Sequence, residues 1–139
     1  MSRHPAMLAL ITDPAGQPVS VHRTYLADLP VRRKAVSSFG PGPTIRLAPV
    51  APIMGIAEGI ETALSAAKLF NVPTWSVMSD YGVATFEPPP ECKRLIIFAD
   101  HDGAGQRAAS SLAERLSIPT DIKTPERPGD DWNDVLVRG

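Results

Sequence analysis

The chain has 139 residues, 43% of them hydrophobic, and a formal net charge of −1. That length fits one domain with a core of its own, and the near-neutral balance excludes a global pull on nucleic acid, so any such contact needs a local basic patch. The single cysteine, Cys92, excludes an intrachain disulfide and a cysteine-built zinc site and suits a cytoplasmic setting, and no apolar stretch approaches the roughly 20 residues that span a bilayer.

Met1-Ser2-Arg3-His4-Pro5 begins no secretory leader. The first predicted element is a β-hairpin over residues 6–25. Met7 to Ile11 is apolar, Val19 to Tyr25 alternates, and Thr12-Asp13-Pro14-Ala15-Gly16-Gln17-Pro18 between them is a turn. Residues 26–43 hold Pro30, Gly40, Pro41, Gly42 and Pro43 and read as a loop. The same stretch carries Arg32, Arg33 and Lys34, which with Arg46 make the densest basic group of the chain. Such a run either grips phosphates or is a solvated loop. Thr44 to Leu47 is a short strand.

From residue 53 the pattern alternates strand with helix. Ile53 to Ala57 is a buried-type strand, and Ile60, Ala63, Leu64, Ala67 and Phe70 then recur at helical spacing until Asn71 and Pro73 stop them. Thr74 to Met78 is a strand, and 80–86 is too short to assign. Glu87-Pro88-Pro89-Pro90-Glu91 is a stiff connector. Arg94 to Ala99 contains Leu95-Ile96-Ile97-Phe98, apolar on both faces as in a central parallel strand. A helix over 105–116, a strand over 118–123 and a short helix over 131–137 close the chain. The order implies a parallel sheet with crossover helices.

Two acidic motifs stand where strands end: Glu58-Gly59 after the first of these strands, and Asp100-His101-Asp102-Gly103-Ala104-Gly105 after the central one. Side chains at the carboxyl ends of parallel strands gather in one crevice. Several carboxylates there repel each other unless a cation lies between them, and Mg²⁺ takes a few carboxylates together with substrate phosphates. Each motif also has a plainer reading. Glu58 and Glu61 complement a helix dipole, and an Asp-rich turn is an ordinary exit from a strand. If the chain stays extended, Asp100 and Asp102, two apart, share a face and one ion. His101 between them is expected to face away. Asp130, Asp131 and Asp134 form a third acidic group, in which Asp131 is either a metal ligand or a helix N-cap. Trp75 and Trp132 read as packing residues, and Cys92 has no base beside it.

These residues resemble the Toprim domain. The likeness is carried by Gly55-Ile56-Ala57-Glu58-Gly59-Ile60-Glu61-Thr62-Ala63-Leu64, by Asp100-His101-Asp102-Gly103-Ala104-Gly105 about forty residues on, and by Asp131-Trp132-Asn133-Asp134-Val135-Leu136. Their wording is closest to the primases of phages and plasmids. His4-Pro5-Ala6-Met7-Leu8 and His22-Arg23-Thr24-Tyr25-Leu26 resemble the segment that precedes Toprim there.

The resemblance implies an α/β, Rossmann-like Toprim fold over 51–139, with about four parallel strands flanked by helices. A small N-terminal β-hairpin segment, 1–50, precedes it. It implies Mg²⁺ or Mn²⁺ on Asp100 and Asp102, Glu58 as catalytic acid or base and further ligand, Asp131 as the last acidic ligand, and nucleotide binding by Arg33 and Lys34. Bacterial primases carry an aspartate four residues after the glutamate; this chain has Thr62 there, with Glu61 one place earlier. The implied reaction is metal-dependent nucleotidyl transfer in DNA priming. Its partners are a single-stranded DNA template, nucleoside triphosphates, and zinc-binding and helicase domains or proteins, away from any membrane. Two rivals share the fold: a nuclease that cuts DNA or RNA, and an inactive nucleic-acid- or metal-binding module that needs partner domains.

Overall fold

Two adjacent strands, β5 (Ile53–Ala57) and β7 (Arg94–Phe98), run parallel through the centre of the molecule. In this computed structural model the residues described are 6–25, 33–35 and 41–139. Both central strands are apolar on each face, so helices have to cover the sheet from two sides. Met54, Ile56, Leu95 and Ile97 pack on one side with Val83, Ala108, Ala109 and Leu112, which belong to α2 (Asp80–Thr85) and α3 (Gly103–Arg115). Ala57, Ile96 and Phe98 pack on the other with Ala63, Ala66, Phe70 and Trp132, from α1 (Ile60–Phe70) and α4 (Trp132–Arg138). Gly55 is required here, because an added Cβ would overlap the Phe98 ring.

The parallel unit is completed by β6 (Thr74–Ser76) beside β5 and β8 (Thr120–Lys123) beside β7, which gives the four parallel strands flanked by helices. Asn71 ends α1 in the left-handed conformation at φ 54°, a backbone region that asparagine tolerates. The expected hairpin is present as β1 (Ala6–Thr12) against β2 (Pro18–Tyr25). It is not a separate layer. β4 (Thr44–Ile45) pairs with β1 on one side and with β6 on the other, so one eight-stranded sheet runs in the order β3-β2-β1-β4-β6-β5-β7-β8.

Three expectations need correction. Part of the 26–43 stretch is not loop, because Arg33–Ala35 forms β3 at the edge against β2; a three-residue edge strand is too short to leave a period in sequence. The 80–86 stretch contains a real helix, α2, started by the Ser79 hydroxyl accepting from the Gly82 amide at 3.0 Å. The third helix begins at Gly103 rather than 105, because Asp102 already caps it. Arg32 and His4 lie outside the described residues. Among the described residues, no helix is long and apolar enough to cross a membrane.

Candidate active site

Glu58 leaves β5 at its carboxyl end, and the neighbouring strand clamps its backbone. Its carbonyl accepts from the Ser76 hydroxyl at 2.8 Å and from the Met78 amide at 2.6 Å, while the Val77 amide donates to the Ala57 carbonyl at 2.9 Å. Asp100 leaves β7 one strand away. Its carbonyl accepts from the Asp102 amide at 2.9 Å and from Gln106 Nε2 at 3.1 Å. The two carboxylates line a cleft of about 80 Å³ together with Gly59, Glu61, Thr62 and Asp131.

Asp102 does not line the cleft, although its charge acts on both Glu58 and Asp100. The Asp102-to-Asp100 hydrogen bond curls the chain, so the expected extended pair is broken. Asp102 Oδ1 instead accepts the Gly105 amide at 2.6 Å as the N-cap of α3. Of the two readings the sequence left open for Asp131, the helix N-cap is the one seen. It lines the cleft, and its Oδ1 caps α4 by accepting the Asp134 amide at 2.9 Å. Asp134 answers by accepting the Asp131 amide at 2.9 Å, which completes a capping box. Two aromatic contacts hold α4 here: Trp132 lies 5.0 Å from Phe70 and 6.3 Å from Phe98.

A further carboxylate, Asp80, went unnoticed in sequence. It is the first residue of α2, reached through Met78 in the left-handed region at φ 72°. Its charge adds to those that raise the Glu58 carboxyl. The signal was available, since an acid following a predicted strand is the same cue that picked out Glu58 and Asp100.

The acids act on each other strongly. Burial and then the nearby charges of Asp80, Asp100 and Asp102 push the Glu58 carboxyl up to about 8. Burial, with Asp131, Asp102 and Asp80, pushes Asp100 up to about 6, against a hydrogen bond from Glu58 that favours its charged form. No lysine or arginine figures among these influences. One carboxyl oxygen of Asp100 and one of Asp80 are buried with no hydrogen-bond partner.

Among the described residues, no three His, Cys, Asp or Glu side chains stand ready-made around one point. Mg²⁺ does not require that arrangement, since it is held by one or two carboxylates with waters and phosphates completing its octahedron. Hard oxygen donors, the unmatched Asp100 oxygen and repulsion without a local cation together fit such an ion at Glu58 and Asp100.

Other side chains are engaged elsewhere. His101 Nδ1 bonds the Pro125 carbonyl at 2.7 Å, away from the acids as expected. The Arg46 guanidinium lies 4.5 Å over the Trp75 ring, and its Nη2 donates to the Pro14 carbonyl at 3.4 Å, so it does not extend the basic run. Arg33 and Lys34 lie in β3 at the sheet edge, five strands from β5. At roughly 4.8 Å per strand, that is on the order of 20 Å from Glu58. The structure does not bring them to the carboxylates. Cys92 is buried, and burial pushes its thiol up, which leaves it unsuited as a nucleophile.

Residues 53–139 match the Toprim domain family. The chain belongs to the Toprim family. Residues 1–46 match a domain of unknown function, DUF7146. No curated protein sequence matches this Toprim protein. Among solved structures, the primase fragment of the bacteriophage T7 primase-helicase protein superposes with a TM-score of 0.73 at 18% identity, over 100% of this chain and 61% of that one. A DNA primase domain from Pseudomonas aeruginosa gives 0.65 at 14% identity, over 96% and 47%. The zinc-binding and RNA polymerase domains of Aquifex aeolicus primase give 0.59 at 16%, over 96% and 37%. At these identities the likeness is one of fold. This Toprim chain spans less than two thirds of each of those three.

Proposed function

We propose that this Toprim protein carries out metal-dependent nucleotidyl transfer in DNA priming, as the catalytic part of a phage- or plasmid-type primase. The observation that carries the reading is the meeting of Glu58 and Asp100 in one small cleft, at the carboxyl ends of adjacent parallel strands, with no positive side chain among the described residues lining it. A bound Mg²⁺ or Mn²⁺ supplies the charge that neutralises a triphosphate and its pyrophosphate leaving group. Asp100 holds that ion, with Glu58 and the uncapped oxygens of Asp102 and Asp131 as the further donors. Glu58, at the carboxyl end of β5 in the same cleft as Asp100, would take the proton of a primer 3′-hydroxyl. The freed oxygen bonds the α-phosphorus of a nucleoside triphosphate, and pyrophosphate departs. Arg33 and Lys34, too far across the sheet to grip that triphosphate, suit the phosphates of a template strand.

The partners follow by analogy. One neighbour comes from a primase-helicase, one includes a zinc-binding domain, and a DnaG primase catalytic domain has been seen bound to single-stranded DNA. We take a single-stranded DNA template, nucleoside triphosphates and zinc-binding and helicase parts as the partners here, in the cytoplasm.

The test is primer synthesis by the 139-residue chain on single-stranded DNA, with labelled triphosphates and Mg²⁺. Labelled oligomers that vanish in Asp100→Asn support the proposal. Cleavage of DNA or RNA without triphosphates replaces it with the nuclease reading. Mn²⁺ uptake with neither activity leaves the binding module.

A further inference from the structure

We propose that Gln106 is a positioning residue for Asp100: its side-chain amide ties the corner that carries Asp100 to Thr124, and so aims the carboxyl at the cation. This rests on the metal-dependent reading above. Asp100 Oδ1 is buried and receives no hydrogen bond, so no donor holds that oxygen in place. The direction of the carboxyl is then left to the backbone that bears it. β7 and β8 stay paired as far as Phe98 and Lys123, and the Ala99 amide still donates to the Lys123 carbonyl at 3.0 Å. Asp100 and Thr124 come next, where the two segments leave the ladder.

Gln106 joins them. Its Nε2 donates to the Asp100 carbonyl at 3.1 Å and to the Thr124 hydroxyl at 2.9 Å. A carbonyl can only accept, so the amide nitrogen is the atom that faces it, and both of its hydrogens are used. Thr124 is a firm anchor, because His101 Nδ1 bonds the carbonyl of the next residue, Pro125, at 2.7 Å. Gly105 brings Gln106 there. A Cβ at 105 would stand 3.1 Å from the Asp100 carbonyl oxygen and 3.1 Å from Asp102 Oδ1, so the bare glycine lets α3 start this close to the corner.

Loss of a group that orients a metal ligand typically costs about ten- to a hundredfold in affinity. The Asp102 amide still holds the Asp100 carbonyl without Gln106, so the lower end applies here.

The experiment is a Mn²⁺ titration of the full chain, followed by calorimetry and by the electron paramagnetic resonance of free Mn²⁺, with urea unfolding of each variant. Gln106→Met keeps the length of the side chain and removes its donors; it is expected to weaken Mn²⁺ binding about tenfold. Thr124→Val removes the anchor and weakens binding less. The double variant binds no more weakly than Gln106→Met alone, since both changes act through one bridge. Ser110→Gly weakens the same helix from its exposed face and leaves Mn²⁺ affinity unchanged, which separates the aim of the carboxyl from the stability of α3. Unchanged affinity in Gln106→Met, with binding lost in Asp100→Asn, overturns this assignment and leaves the metal-dependent reading standing. Additive losses in the double variant, or an equal loss in Ser110→Gly, do the same. A wild-type chain that takes up no Mn²⁺ overturns both.

Discussion

Two acidic groups of this protein use the same residue types to opposite ends. Asp130, Asp131 and Asp134, at the start of α4, are nearly all satisfied: Asp130 pairs with Arg138 at 2.8 Å, and Asp131 and Asp134 bond each other's amides. Hydrogen bonding to Arg138 holds the Asp130 carboxyl below the usual carboxylate range. Glu58, Asp80 and Asp100 have no such partners; burial and mutual repulsion push Glu58 and Asp100 up instead. What separates a structural acid from a candidate catalytic one is therefore the donors that the fold brings to it. Spacing along the chain does not reveal that difference.

The strongest way to break the comparison is to neutralise one member of each group. Glu58→Gln and Asp100→Asn are each expected to lower primer synthesis by about 10²- to 10³-fold, the range for a lost acid–base or charge-stabilising group. Initial rates at saturating triphosphate measure this. Comparable rates in either variant and in Asp134→Ala would remove the distinction. Gly82→Ala attacks the turn whose Met78 amide holds the Glu58 carbonyl. A Cβ there overlaps the Val77 carbonyl oxygen, so α2 has to shift off β6, at a cost of about 3 kcal/mol by urea unfolding.

A smaller effect sharpens the electrostatic side. Glu58 has a raised carboxyl, so the folded state keeps its proton in a range where the unfolded chain has released it. Between the ordinary 4.5 and about 8, the folded state binds more protons, and stability falls as pH rises. With allowance for solvent screening in a half-buried cleft, the loss between pH 5 and 8.5 without divalent ions is on the order of 2 kcal/mol. Mg²⁺ competes with that proton and should flatten the slope. Glu58→Gln should flatten it without any metal. A metal-free wild-type chain that gains stability across this range would contradict the burial of an unpaired Glu58.

Much of this was legible in sequence, for physical reasons. The strands Ile53–Ala57 and Arg94–Phe98 announced themselves because a strand covered on both faces is apolar throughout. The Glu58 and Asp100 corners followed from acids placed directly after such strands. Asp80 carries the same cue, an acid just after the strand read over Thr74 to Met78, but the short 80–86 stretch gave no helix to set it at a corner like those of Glu58 and Asp100. The sequence placed Asp102 on an extended chain beside Asp100; a single amide-to-carbonyl bond across His101 turns the chain there, and one oxygen of Asp102 caps α3, a local contact that spacing does not announce. Arg33 and Lys34 were grouped with Arg46 by composition, which carries no information about which edge of a sheet a loop reaches.

The smallest expected effect tests the satisfied group. Asp134→Ala removes one half of the capping box, the acceptor for the Asp131 amide, and should cost about 1 kcal/mol in urea unfolding. The Asp131 carboxylate still accepts the amide at position 134 in that variant, so its oxygens remain where they were and Mn²⁺ uptake should be unchanged. The pH signature belongs to Asp130 and has the opposite sign to that of Glu58. A lowered carboxyl contributes stability above its unfolded value and loses it as pH falls through the folded one. Asp130→Asn should therefore weaken the protein near neutral pH and leave it indistinguishable from wild type in strong acid. If Asp134→Ala instead released Mn²⁺ as Asp100→Asn does, the acids of α4 would belong to the cleft chemically as well as spatially, and the two groups would be one.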